Sequence, residues 1–163
     1  MKSFIETWHE NSSAALKKHQ DHFPSGAEIS IQLLKGHLLI EELLRDLVST
    51  KVARPDVIEA NNAPSFNCNQ MICLAEALCP ARQEGAWVWD AVRKLNSARN
   101  KLAHRLDYKI LQEDIGKFVA YCIEGQPDIA DGMEELEMPK DAIFECCIMS
   151  ISTYLVAFRA EAA

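Results

Sequence analysis

The chain has 163 residues, 48% of them hydrophobic and 25% charged, which is enough apolar material for one domain's core and too much for a disordered chain. Six Gly, six Pro and 7% aromatic residues are few for a sandwich of short strands joined by tight turns, so the expected class is all-α. A formal charge of −7 opposes general attraction to nucleic acid or to an anionic membrane. Any contact with RNA must be local.

The predicted elements form one antiparallel bundle of about six helices within a single domain covering residues 1–163. A first helix over residues 3–19, in an N-terminal segment 1–23, is broken by Phe23-Pro24-Ser25-Gly26. The clearest helix follows over 28–49. Glu28, Gln32, Lys35, Glu42, Asp46 and Ser49 recur on one side, and Leu33, Leu34, Leu38, Ile40, Leu44, Leu47 and Val48 fill the other. Glu41 and Arg45 make an i,i+4 pair in the favourable orientation, and Gly36 leaves room for a close neighbour.

Residues 51–64, with Pro55, Asn61, Asn62 and Pro64, read as a connection holding one helical turn at 56–60. Ser65 is placed to cap a third helix that ends before Pro80. A fourth runs over about 86–105 on the stripe Val88, Ala91, Val92, Leu95, Ala98 and Leu102. A fifth covers 111–123, closing a core region of 28–123. An acidic loop at 124–139 and a final helix over 140–160 complete the chain.

Met1 to Ile5 runs into Glu6 without a sustained apolar stretch, so no secretory leader is expected. No eighteen apolar residues run together to span a bilayer. A cytoplasmic protein without membrane contact is the expectation. Cys68, Cys73, Cys79, Cys122, Cys146 and Cys147 show no paired C-x-x-C spacing, so they read as small buried apolar groups rather than disulfides, with zinc ligation the lesser alternative.

Charge is unevenly distributed. Between Glu124 and Asp141 seven acids face only Lys140, so that stretch carries −6. From Asp90 to Lys109 six cations stand against two acids, a local +4 with His104 in its middle. Arg99, four after Leu95 and three before Leu102, falls inside the apolar stripe. The plain account is that its stem packs on the core while its head pairs with Glu41 or Glu42.

Asn100 and His104 share a helix face, but at about 100° per residue Arg99 lies about 140° from His104. Convergence then needs a wrapped Arg99 side chain, a helix loosened near Ala103, or two copies building one site. The last is preferred, because a two-fold axis along this helix brings two Arg, two Asn and two His to one groove. An imidazole moves protons near neutrality and a guanidinium holds phosphate charge, so the set suits phosphodiester chemistry without a metal or other cofactor. The expected products from RNA are a cyclic phosphate and a free 5′-hydroxyl.

Arg99-Asn100-Lys101-Leu102-Ala103-His104 resembles the R-x4-H signature of the HEPN superfamily, α-helical domains many of which are metal-independent RNases acting as dimers. The resemblance implies Arg99, Asn100 and His104 as catalytic, supported by Glu41, Glu42 and Arg45, with Arg93, Lys101 and Arg105 on RNA. It also implies a homodimer, and a toxin–antitoxin or defence setting with an antitoxin as partner. The order Glu41-Glu42-Leu43-Leu44-Arg45-Asp46, Pro64-Ser65-Phe66, Ala75-Glu76-Ala77-Leu78 and then the Arg-Asn motif looks like the mannitol operon repressor branch, over about 32–122. That branch implies the alternative: a non-catalytic module for transcription regulation or protein interaction.

Other features point to structure. His19 and His22, beside Lys17 and Lys18 and without a third ligand, read as a solvated helix end, and no metal site is expected. His37 among leucines reads as a hydrogen-bonded core or interface residue. One of Trp87 and Trp89 is core, and the other is core or a stacking platform for a base. No phosphate-cradling or nucleophile-elbow motif occurs, which excludes kinase, NTPase, dinucleotide and serine-hydrolase readings.

Overall fold

The amphipathic period of residues 28–49 becomes α2 (Ile29–Lys51), the helix around which the others are arranged. The computed structural model describes residues 4–79, 83, 85–104 and 107–161, with side chains described from residue 13 onward. The remaining helices are α1 (Phe4–His22), α3 (Pro55–Ile58), α4 (Cys68–Leu78), α5 (Trp87–His104), α6 (Tyr108–Gly125), α7 (Asp128–Glu135) and α8 (Ile143–Ala160). A 3-10 turn, Lys140–Ala142, leads into α8. Among the described residues there is no strand, so the all-α expectation holds, with eight helices rather than six.

Two additions and several boundaries account for the difference. Residues 124–139 are not a loop: α7 buries Ile129 and Met133, four apart, against α6 and α8 and turns its acids outward. Asn67, not Ser65, caps α4. Its side chain accepts from Gln70 N–H at 2.9 Å while the Gln70 side chain accepts from Asn67 N–H at 3.0 Å, satisfying two donors reciprocally. Asp107 starts α6 three residues earlier than expected by accepting from Lys109 N–H at 3.0 Å.

α8 crosses α2 and α1, and Phe118 of α6 meets Phe144 of α8 with ring centroids 5.6 Å apart. Gly36 marks the α2–α8 crossing, where an added Cβ would lie 3.1 Å from Ile148 Cγ1. Leu33, Ile40, Leu44, Leu47, Ile148, Ile151 and Leu155 are fully buried here. Leu34 and Leu38, expected inside, are instead exposed and form a stripe with Ile31, each more than 40% accessible. Lys140–Ala160 is long and apolar enough to cross a membrane by length and composition, with half of that window buried inside the fold. Glu145, Ser150, Ser152 and Thr153 inside the segment kept it from showing as an uninterrupted apolar run.

Buried polar groups are tied across the helices. His19, expected in solvent, is buried: Nε2 lies 3.0 Å from Glu145 Oε1, and the ring stacks on Phe23 at 4.6 Å. Both tryptophans are packed. Trp89 stacks on Phe158 at 5.4 Å, and Trp87 meets Tyr154 edge-on while closely covering Gly125. Neither serves as a free stacking platform. Of the cysteines, Cys122, Cys146 and Cys147 are buried, Cys68 and Cys79 are half-buried and Cys73 is exposed, and none is in a disulfide.

Candidate functional site

α5 is continuous α-helix through His104, so its register sets where the motif side chains lie. Arg99 is half-buried at the edge facing α2 and α4, while Asn100 and His104 are exposed. Arg99 Nη1 donates to Asn100 Oδ1 at 3.1 Å. The polar arc continues from Arg99 through Asn100 and His104 to Lys101, about 200° at 100° per residue. Helix loosening near Ala103 is absent, because the helical turn there is intact. Arg105 lies outside the described residues.

The acids expected to neutralise Arg99 are engaged elsewhere. Arg45 Nη2 donates to Glu41 Oε1 at 2.8 Å and to the Phe66 carbonyl at 3.1 Å, tying α2 to the strand-like approach of α4. Glu42, about 100° further round α2, pairs with Lys18 of α1 at 2.8 Å, so it does not support the motif. Among the described residues no carboxylate lies within ion-pair distance of Arg99.

That Lys18 contact holds the Glu42 carboxyl below its usual range. A carboxyl lowered on folding stabilises above its unfolded pKa and loses that contribution as pH falls through the lowered value. Glu42 is largely solvent-accessible and Lys18 is half-buried, so screening limits the pair and Lys18→Met should cost at most about 1 kcal/mol at pH 7. The difference from wild type should shrink as pH falls from about 4.5. Urea melts of both proteins at pH 7 and in acid would check this. A difference independent of pH would assign the effect to the lysine stem.

The expected RNA-contacting cations are also partly spent. Arg93 pairs with Glu76 of α4 and, at 3.1 Å, with Asp90. Lys101 pairs with Asp114 of α6 at 2.9 Å, and Lys94 lies over the Tyr121 ring at 4.8 Å. Lys94, Lys101 and Lys117 still line one cleft of about 200 Å³ between α5 and α6, with Ser97 and Asp114. This cleft borders the arc at the end opposite Arg99.

Behind Arg99 lies a seam that was not foreseen as a unit. His37 Nε2 lies 3.0 Å from Asn96 Oδ1 in the core, and His37 Nδ1 lies 3.8 Å from Glu41 Oε2. Burial holds the His37 imidazole below its usual range, against the opposing pull of Asn96 and Glu41. The Cys68 thiol, at the start of α4, is pushed up to about 11 by burial and then by the Glu41 charge. The Arg99 charge lowers both groups, the smallest of the influences on each. The sequence signals were His37 and Glu41 four apart, and Asn96 three before Arg99. Nothing local pointed to Cys68.

A second depression lies between α7 and α8. It has a volume of about 260 Å³ and is lined by Met133, Met138, Met149, Ile129, Leu136 and Cys146 among others, with Leu136 72% exposed. Exposed Asp131, Glu134, Glu135 and Glu137 belong to the same short segment.

The site and fold are not accompanied by a known likeness: no family model, no curated protein and no solved structure matches the chain. What the structure defines is a class, an all-α protein whose Arg99, among the described residues, has Asn100 and no carboxylate as its partner at the edge of a polar helix face.

Proposed function

We propose that the chain is a metal-independent endoribonuclease of HEPN type, acting in the cytoplasm as a homodimer with a composite Arg/His cleft along α5. The observation that carries this reading is Arg99, held beside Asn100 with both candidate counter-ions already committed to Arg45 and Lys18. A guanidinium in that state is available to a phosphate. The exposed apolar stripe Ile31, Leu34 and Leu38 on α2 supports pairing with a second copy.

In the proposed reaction one His104 takes the proton of a ribose 2′-hydroxyl. The 2′-oxygen then forms a bond to the adjacent phosphorus as the bond to the 5′-oxygen breaks, and the other His104 protonates that leaving oxygen. Arg99 holds the non-bridging oxygens, and Asn100 orients Arg99. Lys94, Lys101 and Lys117 line the path of the flanking backbone.

The test is cleavage of end-labelled tRNA, mRNA and rRNA in EDTA. Wild type should give cyclic-phosphate ends and a dimer by sedimentation. Arg99→Ala and His104→Ala should each lose about 10²-fold or more in rate with an unchanged circular dichroism spectrum. Wild type without activity on all three RNAs would overturn the proposal. The second reading, a mannitol-repressor-like regulatory or protein-interaction module, would then stand. One observation favours it: the methionine-lined depression beside the acidic α7, a surface suited to a basic amphipathic partner.

A further inference from the structure

His37, Glu41 and Cys68 each offer one ligand atom, and these atoms lie within 4.8 Å of one another. The first two share a face of α2 one turn apart, and the third begins α4, so helix packing assembles the trio. Each neighbour then points a lone pair inward. Asn96 Oδ1 is an acceptor, so His37 Nε2 carries the ring proton and Nδ1 is left with a lone pair facing Glu41 Oε2 at 3.8 Å. Arg45 occupies the other carboxylate oxygen, Oε1, fixing the orientation of Oε2. Two electron-pair donors and a thiol thus face one gap.

We propose that His37, Glu41 and Cys68 bind a zinc ion, with water or an external donor in the fourth position. Nitrogen, oxygen and sulfur together favour zinc over magnesium or calcium. Zinc–ligand bonds of about 2.0–2.3 Å in a tetrahedron put nitrogen and oxygen about 3.3 Å apart and sulfur about 3.5 Å from either, so no pair needs to contract by more than about 1.3–1.5 Å. Asn96 and Arg45 act as the outer hydrogen-bond partners that orient a metal-binding imidazole and carboxylate. On binding, the Cys68 S–H bond breaks, its proton leaves to solvent, and a zinc–sulfur bond forms. Thiolate and carboxylate balance the dication, so Arg45 and Arg99 face a neutral centre. The zinc proposal does not rest on the nuclease reading, which is tested in EDTA.

The experiment is a cobalt titration of the EDTA-stripped, desalted full chain, followed by displacement with zinc. One cobalt per chain should bind, giving intense four-coordinate d–d bands and a sulfur-to-cobalt charge-transfer band that zinc abolishes. Cys68→Ser should remove the charge-transfer band, and Glu41→Gln should weaken binding at least about tenfold. Cys73→Ser, on the exposed side of α4, should change neither. Absence of the charge-transfer band in wild type, or its survival in Cys68→Ser, would overturn the site. If Cys68→Ser fails to fold, alkylation of wild type decides: zinc should protect Cys68 but leave Cys73 reactive, and equal labelling of Cys68 with and without zinc would overturn the proposal.

Discussion

Phe118→Ala should destabilise the fold by about 3–5 kcal/mol, lowering the urea midpoint without changing the slope of the transition. Phe118 is 1% exposed on α6, and its ring packs on Phe144 of α8. Truncation removes both the transfer free energy of the ring and its contacts, while the helices on either side are held apart by other core residues. The cavity therefore closes only in part. Against a total stability of about 5–15 kcal/mol, the loss is large enough to leave a substantial unfolded population. Phe118→Leu, which retains much of the volume, should lose less. Equal losses for the two variants would show that the site collapses freely around a smaller side chain.

Gly85→Ala should cost about 2–5 kcal/mol from two separable sources. Gly85 has φ +80, where a Cβ costs about 1–2 kcal/mol. That Cβ would also lie 2.8 Å from Phe158 Cζ and 2.9 Å from Tyr154 Cδ1, and overpacking of this kind costs about 1–3 kcal/mol. Gly26 provides the control. It has φ +73 with nothing within 4 Å of an added Cβ, so Gly26→Ala should cost only the backbone share. Denaturant melts of both variants separate the two causes. Equal losses would mean that the Phe158 and Tyr154 rings yield without cost.

The contrast between those glycines also shows where sequence reading stops. Both sit in turn-like contexts at helix entrances, and nothing next to Gly85 in the chain announces two rings from α8, about seventy residues later. Arg99 is the same case in electrostatic form. Its position inside the apolar stripe was legible, as were Glu41 and Glu42 as nearby acids. The i,i+4 spacing already gave Glu41 to Arg45, but the partner of Glu42 depended on α1 packing against one side of α2 and bringing Lys18 to it. His19 looked solvated beside two lysines until α8 brought Glu145 against it, 126 residues away.

Class and periodicity were available from the chain alone. Few glycines and prolines, and apolar residues spaced by three and four, specify amphipathic helices, since that information lies within one or two turns. The packing of α4 and α5 on α2 decided the rest: it joined Cys68 to His37 and Glu41, buried Asn96 against the imidazole, and left Arg99 without a carboxylate among the described residues. A helix's own sequence defines which face is apolar. The charge and hydrogen-bond partners of its remaining residues are set by the neighbour that arrives, because those interactions act over a few ångströms and cross the longest separations in the chain.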